Sequence, residues 1–144
     1  MILYCDGAAR GNPGPAGLGV YITEDDGTVV HEIAKGIGEA TNNVAEYSAL
    51  VAGLEWCAAN GASDVQVRAD SDLIVKQMNG VYKVKAKNLL QLHRRARELA
   101  SSIGHVTFQH VRREFNTEAD RLANAGVDEW IAAGRPSVGD PTLF

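Results

Sequence analysis

The chain has 144 residues, enough for one domain with a sizeable core, and its 45% apolar and 22% charged content is that of a folded chain rather than a disordered one. No apolar run approaches a membrane span, and the N-terminus lacks the basic start and apolar stretch of a secretory signal, so the expected location is cytoplasmic. The net charge of −4 conceals an asymmetry: between Leu73 and Arg97 lie seven basic residues and no acid, a segment able to meet phosphates.

The first apolar strand, about 1–6, ends in a lone acid, Asp6, and is followed by "GAARGNPGPAG", where glycine and proline punctuate a bent loop. A second strand is expected over about 17–24 and, after the turn "EDDG", a third over about 28–37, which together with the first make an antiparallel meander. From Asn43 the pattern becomes helical, with Val44, Tyr47, Leu50, Val51, Leu54 and Cys57 recurring at three and four. Thr41 or Asn42 caps the start, and "ANGAS" stops the helix at Gly61. A fourth strand (about 64–69), a short helix from near Ser71, a helix over about 88–101, a fifth strand (about 105–111) and a last helix (about 117–132) follow.

The implied fold class is α/β: a five-stranded mixed sheet flanked by helices, strands 1–3 antiparallel, strands 1, 4 and 5 parallel through right-handed crossovers. A domain over 1–133 and a Pro- and Gly-containing tail over 134–144 are expected. Cys5 and Cys57 have neither the number nor the spacing of a disulfide framework or zinc site and read as small buried hydrophobes.

Four acids look out of place. Asp6 ends strand 1, Asp70 ends strand 4, and Glu46 and Asp120 are expected in the first turns of the first long helix and the last helix. Singly, each has a bland reading as a cap or as a partner of a helix dipole. Ligands of open sheets bind beyond the carboxyl ends of parallel strands, which makes Asp6 and Asp70 neighbours there. Four converging carboxylates repel one another unless a cation neutralises them, and a hard oxygen set points to Mg²⁺ or Mn²⁺.

The motifs "DGAARGNPGPAG", "TNNVAEYSAL", "RADSDLIVKQMNG", "YKVK" and "FNTEADRLAN", in this order and spacing, resemble type 1 ribonuclease H over residues 1 to about 130. The resemblance implies an Mg²⁺-dependent endonuclease that cuts the RNA strand of RNA/DNA hybrids, leaving 5′-phosphate and 3′-hydroxyl ends. Asp6, Glu46, Asp70 and Asp120 would be its metal ligands, holding two Mg²⁺ roughly 4 Å apart, with Mn²⁺ as a substitute. Asn12 and Asn42 match positions that select the ribose 2′-OH, and Thr41 and Asn43 match a pocket for a DNA phosphate. The segment with Tyr82, Lys83 and Lys85, and Arg94, Arg95 and Arg97 beyond it, is the candidate DNA-backbone footprint.

Several features depart from the common pattern. The long basic insertion of many relatives is absent, "GVYKVKAKNLLQ" joining the middle helices directly, and no hybrid-binding domain is expected ahead of Met1. The chain thus reads as a short form. Where many relatives place a mobile-loop His before the last acid, the short-loop pattern puts Arg113, a phosphate contact or product-exit group that cannot shuttle protons; Glu114 is a second candidate for an outer metal role. His110, ten residues before Asp120, falls on the Val106 and Phe108 side of its strand and reads as packed or partly exposed. Asp72 stands where many relatives have Gln and is carried as a substrate-contact position.

Double-stranded RNA and RNA–DNA junctions stay open as further substrates, no membrane partner is expected, and a monomer is the default. The competing readings are an exonuclease or integrase-like strand transferase on the same acidic sheet, and a non-catalytic hybrid-binding module. The "TNN" before Glu46 and the intact carboxylate set speak against them.

Overall fold

The computed structural model describes residues 1–134. The chain runs β1 (Ile2–Ala9), β2 (Gly14–Thr23), β3 (Val29–Ala40), α1 (Asn42–Ala59), β4 (Asp64–Ala69), α2 (Asp72–Met78), α3 (Lys87–Ile103), β5 (His105–His110), a single 3₁₀ turn (Arg113–Phe115) and α4 (Thr117–Ala132). The five strands form one sheet in the order β3-β2-β1-β4-β5. β1–β2 and β2–β3 are antiparallel, β1–β4 and β4–β5 parallel, as the element pattern requires. The tail expected over 134–144 lies, Gly134 apart, outside the described residues.

The glycine-rich stretch is less of a loop than its composition suggests. β1 continues past Asp6 to Ala9 and β2 begins at Gly14, which leaves only residues 10–13 to turn; Arg10 N donates to Pro15 O (2.8 Å) across the ends. The reason lies on the two faces of the sheet. On one, α1 and α3 rest on large side chains, with Leu3, Val20, Ile22, Leu50, Leu54, Val65 and Val67 all essentially inaccessible. On the other, α4 lies directly on backbone: a Cβ at Gly19 would meet Ala119 O at 2.1 Å, at Gly17 Ala123 O at 2.5 Å, and at Gly36 the Trp130 Cβ at 2.4 Å. Glycine is thus required in the middle of strands where its turn-forming habit is irrelevant.

α1 is capped by Thr41, whose Oγ1 accepts from Val44 N (3.3 Å), and Glu46 is its fifth residue, just past the first turn where the sequence placed it. α2 is capped in the same way by Ser71 Oγ and Ile74 N (3.3 Å). β4 alternates strictly, Val65, Val67 and Ala69 buried beneath α1 and α3, Asp64 and Gln66 exposed, so this part of the sheet has a covered and an open face. Cys5 and Cys57 are buried, and burial pushes both thiols up in pKa, which leaves them unreactive packing groups. Among the described residues, no helix is long and apolar enough to cross a membrane.

Candidate metal and active site

Three acids from three elements meet beyond the carboxyl ends of β1 and β4. Asp6, Glu46 and Asp70 each bring a carboxylate oxygen within 4.8 Å of the others. Gly7 makes the approach possible, for a Cβ there would lie 2.3 Å from the Ala45 carbonyl carbon and from Glu46 N. Its absence lets α1 press onto β1 and hold Glu46 against Asp6. Gly7 N in turn donates to Asp6 Oδ1 (3.0 Å).

Asp120 enters from α4. It lines the same cavity, of about 480 Å³, together with Arg10, Asn42, Ser71, Arg113 and Asn124, but stands outside the close trio and a third of its side chain is exposed. Its position is fixed by Asn116, fully buried, which donates through Nδ2 to the carbonyl of Cys5 (3.0 Å), one residue before Asp6. Asn124, one turn further on, donates to Asp120 O (3.0 Å) and reaches Asp120 Oδ1 (3.4 Å).

The trio is costly as bare carboxylates. Burial, then the Asp6 charge and a hydrogen bond to it, push Glu46 up to about 10; burial, then Asp70, raise Asp6 to about 7. Without a cation the Asp6–Glu46 pair therefore holds a proton more readily than two separate carboxylates would. All-oxygen donors, close, buried and short of positive charge, fit a hard divalent cation.

The remaining candidates separate into those at the cavity and those away from it. Arg113 is on the rim, its Nη2 3.7 Å from Asp120 Oδ1 and the side chain 81% exposed. Glu114 instead faces Arg112 (3.7 Å). Asn12 Oδ1 accepts from Asn42 N (3.0 Å), so the β1–β2 loop is tied to the first turn of α1, where Thr41 and Asn43 also sit. Asp72 is turned to Lys76 (2.9 Å) and does not line the cavity. Lys76 also lies 5.1 Å from the Tyr82 ring centre, and Leu73, Val81, Tyr82, Lys83 and Lys85 line a separate shallow groove. The basic helix face is less free than its local sequence implies, because Arg95 pairs with Glu55 of α1 (3.6 Å) and with Glu98 (3.8 Å). His110 is exposed at the end of β5 and does not line the carboxylate cavity.

Arg10, Ser71 and Asn124 were not singled out from the sequence. Asn124 was findable, since it follows Asp120 by four residues and so shares its helix face. Arg10, held by Asp128 (2.6 Å), gives no local signal. One buried link also reaches the basic segment: Tyr47, beside Glu46, donates to Gln77 Oε1 (2.6 Å), and Gln77 Nε2 donates to the Lys83 carbonyl (3.5 Å).

Residues 4–126 match the family model described as reverse transcriptase-like. The chain is 45% identical over 141 residues to the bifunctional protein Rv2228c of Mycobacterium tuberculosis, covering 97% of this chain and 38% of that protein, so it spans well under half the length of that relative. It is 32% identical over 150 residues to a ribonuclease H of Coxiella burnetii, covering 93% of this chain and 94% of that one. Among solved structures, LC11-RNase H1 in complex with RNA/DNA hybrid superposes with a TM-score of 0.86 at 45% identity, covering 90% of this chain and 98% of that one.

Proposed function

The chain belongs to the ribonuclease H family, and from that premise we propose that it hydrolyses the RNA strand of RNA/DNA hybrids, leaving 5′-phosphate and 3′-hydroxyl ends, with residues 1–133 as the catalytic unit. The observation that carries this reading is the meeting of Asp6 and Glu46, both buried, with the half-buried Asp70 within 4.8 Å at the mouth of an open cavity. Asp6, Glu46, Asp70 and Asp120 would hold two Mg²⁺, or Mn²⁺ in their place. Bound there, the metal supplies a water of lowered pKa as nucleophile and stabilises the departing 3′ oxygen.

The chain's own residues do the rest. Glu46 surrenders its proton as the site loads, so metal uptake releases protons and weakens as pH falls. Asp120, outside the close trio and a third exposed, would complete the ligand set from α4. Arg113 stands beside it as a fixed cation for a scissile or product phosphate; a guanidinium keeps its charge throughout and leaves proton transfer to other groups. The α1 N-terminus, with Thr41, Asn42 and Asn43, presents backbone N–H groups and amides to the duplex, and Asn12 braces it. Tyr82, Lys83 and Lys85 would follow the DNA backbone.

The test is cleavage of an end-labelled set: RNA/DNA hybrid labelled on either strand, an RNA–DNA junction, double-stranded RNA, double-stranded DNA and single-stranded RNA, each with Mg²⁺, Mn²⁺ or chelator. Internal cuts in the RNA strand of the hybrid, lost with chelator and in Asp70→Asn, are expected. Hybrid bound but never cut under either metal would overturn the reading.

A further inference from the structure

α4 covers β2, β3 and part of β1 on its face of the sheet, and the same face of β4 and β5 is left open. Next to that opening the 3₁₀ turn exposes Phe115, at 65% one of the most accessible large apolar side chains described. It does not stand alone. Tyr4, Arg68, Gln109, His110 and Arg112 join it around a hollow of about 510 Å³, which contains no acid and lies within the range of small-ligand sites.

The lining suits a nucleotide. Phe115 and Tyr4 offer aromatic faces. The Arg68 guanidinium, 5.7 Å from the Tyr4 ring centre, is held by Tyr4 Oη (Nη1, 2.9 Å) and Gln66 Oε1 (Nη2, 3.4 Å), while its Nε is enclosed without an acceptor. A turn of that guanidinium toward an incoming oxygen would pair the orphaned donor. Arg112, 81% exposed, stands at the rim. An exposed aromatic beside a half-buried one, a planar cation and an amide are what single-stranded nucleic acid stacks on, and the lining itself carries no acid, Glu114 lying outside it as the partner of Arg112.

Position adds a second argument. Arg113 lines the carboxylate cavity and Phe115 lines this hollow, two residues along the same short turn. On the far side the neighbouring hollow shares Tyr4, Arg68 and Phe115 but carries Asp25, Asp26 and Glu118, which repel a phosphate backbone. A strand therefore meets cations on the side of Arg113 and Arg112, the latter paired with Glu114 (3.7 Å), and acids on the other. We propose that the hollow of Tyr4, Arg68 and Phe115 binds a nucleotide of a single-stranded nucleic acid leaving or overhanging the carboxylate cavity.

The probe is a labelled ten-nucleotide single-stranded RNA titrated by fluorescence anisotropy in chelator, where cleavage plays no part. Phe115→Ala should weaken binding by roughly tenfold, Phe115→Tyr should restore it, and 4-thiouridine oligomers should photo-crosslink to the segment around Phe115 or Tyr4. Phe115 is exposed, so its substitution leaves the fold intact. Affinity unmoved by Phe115→Ala, no binding at all by the unaltered chain, or crosslinks confined to residues 82–87 would overturn the proposal. Failure of the unaltered chain to cut hybrid would end the function proposed above and leave this measurement standing.

Discussion

α1 and α4 each deliver a carboxylate to one cavity, yet they rest on the sheet in different ways. α1 sits on interlocked side chains, Leu50 and Leu54 in the core with Leu3, Val20 and Ile22. α4 sits on bare backbone at Gly17, Gly19 and Gly36. A side-chain interface can lose a methyl group and partly relax; a helix already touching backbone has nowhere to go. The cavity between them therefore has one adjustable wall and one fixed wall.

The widest test of that contrast is folding. Gly19→Val should leave no cooperative thermal transition, a loss of more than about 4 kcal/mol because the added atoms meet backbone oxygen. Leu54→Ala should cost about 3 kcal/mol and still melt cooperatively. If both variants melt alike, the contrast is wrong. Gly7→Ala probes the one place where α1 also touches backbone, and by displacing the Ala45–Glu46 peptide should lower hybrid cleavage by about a hundredfold in single-turnover assays. Asp120→Asn should be milder, about tenfold, because Asp120 stands outside the close trio.

The smallest effect expected is on pH. Asp6 and Glu46 have folded pKa values of about 7 and about 10, above their usual 3.8 and 4.5, so the metal-free fold binds more protons than the unfolded chain over that range. Their contribution is fully present below about pH 4 and is lost as pH rises through 7 toward 10. In chelator the melting temperature should fall between pH 5 and pH 8, and Glu46→Gln should flatten that slope, as should Mg²⁺. A rising melting temperature over the same interval would contradict the raised values.

Periodicity and turn chemistry made the sheet, its order and the α4 limits Thr117–Ala132 legible, because each depends on local pattern. The extents of β1 and β2 were not legible. "GAARGNPGPAG" spells a loop by composition, yet Gly7 to Ala9 continue β1 and Gly14 to Ala16 already belong to β2; Gly17 and Gly19 are glycine on account of a helix about a hundred residues away in sequence. The acids at strand ends and helix starts could be found one by one, but nothing local separates the close trio from Asp120, which stands outside it. Arg68 and Phe115 open two of the quoted motifs, yet nothing in those motifs brings the two side chains together. Their neighbourhood exists only because β4 has one uncovered face, which is a property of the assembled sheet.

Asn116 has one more consequence. Its amide joins the strand before Asp6 to the helix start before Asp120, across a seat of bare glycine backbone, so the spacing between those two acids is set by main chain rather than by rotamers. Such a cavity would discriminate by ionic radius, since Asp6 and Asp120 could not move apart or together without moving the main chain that holds them. Ion preference and α4 anchoring are thereby one design variable, and Asn116→Ser should shift the ratio of Mg²⁺- to Mn²⁺-supported activity without altering any acid.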